Sequence, residues 1–273
     1  MRIKVTYRTH KLPILYRHRF MALIKEALKT SDEGYKKYLY PAKDSNESKR
    51  TKPFTFNVSL PAQRTAQKEI IPIDEDYKVP IEDTVFYFPP ESSLSLYISS
   101  ADYQFIINLY NGLLSLKEFA FNPEVTLRLE RVFMLNEHQI TTDEVVFKTN
   151  SPVSMETKDD IPILPFRDDG EPLGEEGLKI FNQHFNAIHN RILKDIRGQE
   201  LLREIEFTPL NLRKQVVKHT LKGFREKTGK PYMNLTTFQG CFKLKGAPED
   251  LQTLYQIGVG LRTGQGFGMV EVG

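Results

Sequence analysis

The rhythm of apolar and polar positions changes along this chain in a regular order, and that order predicts its elements. Residues 2–7 alternate and are rich in β-formers, which predicts a half-buried strand. Across 17–29, Phe20, Leu23, Ile24, Ala27 and Leu28 recur at helical spacing and make one apolar stripe. A polar loop over 41–52 leads to a second alternating strand, 53–60, through Phe54, Phe56, Val58 and Leu60. The stretch 62–82, rich in Gln, Glu, Asp and Pro, reads as an insertion or hairpin tip. Strands at 84–88 and 94–99 flank a Pro-Pro turn. A helix over 102–116 carries Phe105, Ile106, Leu109, Tyr110, Leu113 and Leu114, and 125–140 is a long strand region. The sequence of elements is β-α-β-β-α-β, the ferredoxin-like motif.

The pattern then begins again. Residues 145–155 are strand-like with a proline break, and 174–196 form a helix with Leu178, Phe181, Phe185, Ile188 and Ile192 on one stripe. A strand at 201–208 precedes a basic segment, 211–230, and a strand region at 233–245. Pro248 and Asp250 suit the first turn of a helix bearing Leu251, Leu254, Tyr255 and Ile257, and a last strand holds 269–272. The expectation is an α+β chain of two tandem ferredoxin-like (RRM-like) domains with antiparallel sheets. Their expected limits are 1–142 and 143–273.

Composition narrows the setting. The 273 residues hold no apolar run near the roughly 20 needed to span a bilayer, and the start, MRIKVTYRTH, lacks the apolar core of a secretory signal. The single cysteine, Cys241, cannot form an internal disulfide and reads as a small buried apolar residue. These features point to the cytoplasm, with no membrane partner.

Net charge is only +3, but its distribution is uneven. Residues 1–19 contain Arg2, Lys4, Arg8, Lys11, Arg17 and Arg19 and no acid. Residues 211–230 contain Arg213, Lys214, Lys218, Lys222, Arg225, Lys227 and Lys230 against one acid, Glu226. Each block reads either as a solvated face or as part of a phosphate-binding surface, and their pairing favours the second.

The C-terminus is the most informative segment. Gly258, Gly260, Gly264, Gly266 and Gly268 place five glycines in eleven positions, with Arg262 among them. Glycine permits positive φ and close approach of a ligand to the main chain. Exposed successive N–H groups could hold phosphate oxygens beside Arg262, or the run is a tight helix-to-strand turn. A dinucleotide fingerprint would follow a strand and open a helix, whereas this run follows a helix and opens a strand. No Gly-Lys-Ser/Thr of a P-loop is present.

Read as GxG, five residues, GxG and a short strand, this segment resembles the glycine-rich loop of the CRISPR repeat-processing endoribonucleases. The likeness extends along the chain. Tyr16-Arg-His-Arg-Phe20 running into Leu23-Ile-Lys-Glu-Ala-Leu28 resembles that family's first helix. Lys52-Pro-Phe-Thr-Phe56 resembles the start of its next strand, and Phe147-Lys-Thr-Asn-Ser-Pro152 the strand opening its second half.

The resemblance implies binding of CRISPR repeat RNA (pre-crRNA) and one metal-free cut per repeat, by attack of a 2′-hydroxyl on the adjacent phosphate. That chemistry needs a base, an acid and a cation for the phosphorane charge. No Cys/His cluster and no His-Glu-x-x-His argues for a metal, and no cofactor is expected.

The chain departs from the family where many members carry a histidine just after the first helix. Between Lys25 and Lys52 there is none, and Tyr40 falls at that position. The candidate catalytic residues are therefore Tyr40, Lys52, Lys25 and His18. Tyrosine and lysine, with reference pKa values about 10, are weaker bases at neutral pH than imidazole. Each candidate also has a plainer reading: Tyr40 as packing, Lys25 as a surface helix residue, Lys52 as a phosphate contact, His18 as a cap or RNA contact. His184 and His189 lie five apart and do not share a helix face, and His138 and His219 sit near strand ends or loops.

The candidate RNA-binding residues are the five glycines, Arg262, Arg213, Lys214, Lys218, Arg225, Lys227 and Lys230. Two other readings stand beside the endoribonuclease: a non-catalytic RNA-binding subunit of a ribonucleoprotein, and a domain pair for a small phosphorylated metabolite. Membership of an interference complex and homodimerisation are further expectations.

Overall fold

The computed structural model describes residues 1–42, 50–74, 77, 79–167 and 169–273. The first half runs β1 (Arg2–Arg8), β2 (Lys11–Pro13), α1 (Arg17–Ser31), α2 (Glu33–Leu39), β3 (Phe54–Ser59), β4 (Thr65–Ile71), β5 (Ile81–Tyr87), β6 (Ser93–Ser100), α3 (Tyr103–Ser115), β7 (Glu118–Asn122) and β8 (Val125–Leu135). The second runs β9 (Glu144–Thr149), α4 (Glu175–Arg197), β10 (Glu206–His219), α5 (Lys222–Thr228), β11 (Met233–Lys245), α6 (Pro248–Ile257), a 3-10 turn (Thr263–Gln265) and β12 (Val270–Val272).

Two antiparallel sheets carry the same topology. The first is ordered β3-β6-β1-β8-β7 and the second β10-β11-β9-β12. In each, the first and third core strands pair at the centre and the second and fourth flank them. The fold is two tandem ferredoxin-like units, as the element order predicts. Alternation decides the buried face: Ile3, Val5 and Tyr7 of β1 join Leu94, Leu96 and Ile98 of β6 beneath the stripes of α1 and α3. Phe54 stacks on Phe105 of α3 at 4.3 Å. A separate buried cluster runs from Ile140 to Val270 around Phe181, Phe185, Phe207, Phe238 and Phe242.

Local chemistry fixes the helix ends. Asp32 caps α2 by accepting from Tyr35 N at 2.8 Å, and Asp102 caps α3 by accepting from Phe105 N at 3.1 Å. Glu175 and Glu176 open α4 and Lys194 and Arg197 close it, in the sense the helix dipole favours. Gly198, at φ 76°, then ends it in the left-handed region.

The structure differs from the sequence expectation in several segments. Residues 81–87 do not enter the main sheet but form a three-stranded sheet, β2-β5-β4. The polar stretch expected as an insertion supplies its β4–β5 hairpin. The strand expected at 201–208 begins only at Glu206 and continues through the basic segment to His219. Upstream of it, side chains hold the backbone: Leu201 N donates to Asn190, Leu202 N to Asp250 and Ile205 N to Asn186. β8 ends at Leu135 rather than 140, and β9 ends at Thr149, with Val153 and Ser154 making single bridges beyond it. Cys241 in β11 is half-buried rather than enclosed. The loop expected over 41–52 lies mostly outside the described residues. No helix among the described residues is long and apolar enough to cross a membrane.

Candidate functional site

Three of the four candidate catalytic residues meet at one point. Lys25 projects from α1, Tyr40 follows α2, and Lys52 lies two residues before β3. The Lys25 Nζ sits 4.8 Å and the Lys52 Nζ 4.7 Å from the centre of the Tyr40 ring. An ammonium over an aromatic face is attracted by the ring quadrupole, so Tyr40 gathers two cations that would otherwise repel. Lys52 also donates to the carbonyl of Arg50 at 2.6 Å.

Crowding alters both lysines. Burial, and then the neighbouring charge of Lys25, lowers the pKa of Lys52 to about 8. Burial first and Lys36 second lower that of Lys25. A lysine titrating near 8 exists partly as the neutral amine at physiological pH and can accept a proton. Tyr40 differs from its expected role: its hydroxyl is buried without a hydrogen-bond partner, and burial pushes its pKa up. As placed, it orients the lysines through its ring and does not present its proton.

His18 stands apart from this trio. Its Nε2 lies 3.3 Å from the Ile73 carbonyl and 3.9 Å from the Asp74 carboxylate, and its Nδ1 is buried without a partner. Desolvation is the largest influence and lowers its pKa to about 4, so the ring is neutral and structural. His18 and Lys25, seven residues apart on α1, nonetheless line one cleft of about 300 Å³ with Asp74, Lys222 and Arg225.

The glycine loop joins the two halves. Thr55 Oγ1 of β3 donates to the Phe267 carbonyl at 2.8 Å, and Arg17 Nε to that of Gly266 at 3.2 Å. Gly258, Gly260, Gly266 and Gly268 all have positive φ. A Cβ on Gly258 would lie 2.8 Å from Thr55 Cβ, and one on Gly266 2.7 Å from the Phe56 ring.

The expectation that these glycines offer exposed amides fails, because all five are buried. Gly258 N donates to Leu254 O, Gly266 N to Thr263 O and Gly268 N to Pro152 O. Gly260 N donates to His189 Nε2 at 2.9 Å, while His189 Nδ1 donates to Phe185 O at 2.7 Å. Both bonds require one N–H and one lone pair, hence a neutral ring, and burial lowers the His189 pKa to about 4. Arg262, held in the left-handed region at φ 60°, pairs with Glu156 at 2.5 Å. The glycines of this loop are close-packing positions between the halves.

The basic segment divides. Arg213, Lys214, Lys227 and Lys230 are exposed on β10 and around the end of α5. Lys218 and Arg225 are not: Arg225 is buried, bonds Asp74 at 2.7 Å and Thr220 at 3.0 Å, and lies 5.1 Å over Tyr77. Lys218 reaches the fully buried Asp83 at 3.1 Å. Both cations fasten α5 and β10 to the first half. Among the described residues, no three His, Cys, Asp or Glu side chains converge as a metal site requires.

Several solved structures share this architecture along the whole chain. A Cas6-related protein from Pyrococcus furiosus superposes with a TM-score of 0.67 at 19% identity, covering 100% of this chain and 98% of that one. A RAMP protein described as binding different RNA substrates gives 0.67 at 19%, covering 100% and 99%. A Cas6 product complex gives 0.55 at 14%, covering 99% and 98%. At such identities the likeness establishes the fold. No curated protein matches. The family model for CRISPR associated protein Cas6, C-terminal, matches residues 135–272, just over half of the chain. This protein belongs to the Cas6 family of CRISPR-associated proteins.

Proposed function

We propose that this protein binds the repeat of a CRISPR transcript and cuts it without metal, leaving 2′,3′-cyclic phosphate and 5′-hydroxyl ends. The observation that carries this reading is the convergence of Lys25 and Lys52 on Tyr40. Lys52, whose pKa is lowered to about 8, takes the proton of the ribose 2′-hydroxyl. The 2′-oxygen bonds to phosphorus, the bond from phosphorus to the 5′-oxygen breaks, and that oxygen takes a proton from the Lys25 ammonium. The ammonium also offsets the charge that gathers on the phosphorane oxygens. Tyr40 positions both amines.

The cleft between α1 and α5 leads to Lys25, and the exposed Arg213, Lys214, Lys227 and Lys230 extend the basic surface. RNA hairpins are read largely through shape, backbone and unpaired bases, which suits such a groove. The experiment is analysis of product ends after incubation with repeat RNA. Accumulation of cyclic phosphate supports the reading, whereas 3′-hydroxyl, 5′-phosphate ends would contradict it.

A second reading, RNA binding without cleavage, is favoured by one observation: the Tyr40 hydroxyl is enclosed and has no hydrogen-bond partner among the described residues. Tight binding with intact RNA would establish it.

A further inference from the structure

A second cleft opens where residues 50–53 meet the second half. It has a volume of about 330 Å³ and is walled by Tyr38, Arg50, Thr51 and Asp102 of the first half and Asp195 and Arg197 of the second. Within it the Arg50 guanidinium lies 4.3 Å over the Tyr38 ring, and Tyr38 is 52% exposed. Opposite them, Asp195 Oδ2 accepts from Thr51 N at 2.6 Å. Asp102 is committed to the Tyr35 hydroxyl at 2.6 Å and to the cap of α3. Arg197 is held by Asp250 at 2.5 Å. Two features are left to meet a ligand: a flat aromatic–guanidinium platform, and the outer oxygen of a carboxylate.

We propose that this cleft holds one unstacked nucleobase of the bound RNA, flat on an outer face of the Tyr38–Arg50 stack, with its amino group donating to Asp195. The assignment rests on the reading that Lys52 faces the scissile phosphate. Lys52 donates to the Arg50 carbonyl, so the platform begins two residues from that amine, and the base belongs to a nucleotide near the cut. The platform accepts any base, since every base has a π-face. The carboxylate selects. It is an acceptor only, so it favours adenine, guanine or cytosine, which carry an exocyclic amino group, over uracil, whose flanking carbonyl oxygens it repels.

The test uses the full-length protein and repeat RNA made uncleavable by 2′-deoxy substitution. Each repeat position in turn is replaced by an abasic residue, and the sensitive positions by each of the four bases. Affinities are compared for the wild type, Asp195→Asn and Tyr38→Ala. The asparagine oxygen still accepts from Thr51, and Tyr38 is largely exposed, so both variants keep the fold. One position should lose about 10- to 100-fold when abasic, in line with the usual worth of base stacking, and should disfavour uridine. Asp195→Asn should erase the discrimination against uridine, and Tyr38→Ala should weaken all four bases alike. Discrimination that survives Asp195→Asn, or no sensitive position, overturns the proposal. Selective binding of a native repeat that is never cut removes the cleavage reading and leaves the base site standing. Cleavage without base selectivity does the reverse.

Discussion

Gly264 and Lys52 touch across the junction between the halves: a Cβ on Gly264 would lie 2.8 Å from both the Cβ and the Cγ of Lys52. These are the root atoms of the lysine, not its flexible end, so they cannot swing aside without moving the chain that enters β3. The glycine loop therefore fixes the root from which the lysine side chain reaches Tyr40. Gly264→Ala should keep the fold and RNA binding but lower single-turnover cleavage about 100-fold, the usual cost of about 1 Å of misplacement. A rate within twofold of wild type would detach the loop from the catalytic geometry.

Lys52 as the base fixes the pH dependence. Its pKa is lowered to about 8, so the neutral amine grows with rising pH. The cleavage rate should climb about tenfold per pH unit below that value, level off above it, and fall again where the Lys25 ammonium loses its proton. Lys52→Arg should abolish the climb, because guanidinium stays charged. Lys25→Ala removes a repelling charge and should move the inflection upward while lowering the plateau. A profile unchanged in Lys52→Arg assigns the base elsewhere.

A buried ion pair holds α5 against the first half. Arg225→Ala removes the buried ion pair with Asp74 and the hydrogen bond to Thr220, and should cost about 1.5–3 kcal/mol of unfolding free energy in a denaturant titration. The double variant with Asp74→Ala should cost less than the sum of the two single changes, because both single changes remove the same ion pair. Strict additivity would mean that the pair contributes nothing as a pair.

Three enclosed histidines make the fold sensitive to acid. Burial is the largest cause in each, lowering His18 and His189 to about 4 and His219 to about 3. Unfolded imidazoles titrate at about 6.5, so between that pH and about 4 the unfolded chain binds more protons than the folded one. Stability should be unaffected by these groups above about 6.5 and fall as pH drops below it, by at most about 1.4 kcal/mol per unit for each ring. Melting temperatures between pH 7 and 4.5 would show it, and His189→Gln should flatten part of the slope.

The sequence made the tandem fold legible because its core strands and helices keep clean periods of two and about 3.6, as in β1 and α1. Lys25, Lys52 and Tyr40 were singled out through the resemblance to the family's first helix and following strand, and the fold brings the three side chains together. What could not be read were facts set by distant partners. Arg225 lies in a run of cations and looks solvated, yet its partner Asp74 is 151 positions away. The glycines looked like a ligand cradle, but His189, Thr55 and Lys52, which fill the space around them, are remote in sequence. The β2-β5-β4 sheet was hidden because β4 is exposed almost throughout and shows no apolar alternation. The Asp195 carboxylate gave no signal alone, since its meaning comes from Thr51 across the cleft.

The central claim is that two lysines gathered by Tyr40 activate a ribose 2′-hydroxyl. Its most direct test is incubation with labelled repeat RNA in EDTA, using RNAs that carry a single 2′-deoxy substitution at each position in turn. The account predicts cleavage that persists in EDTA and stops with one substitution, the one immediately 5′ of the scissile phosphate. Cleavage that is lost in EDTA, or that survives every single 2′-deoxy substitution, would contradict it.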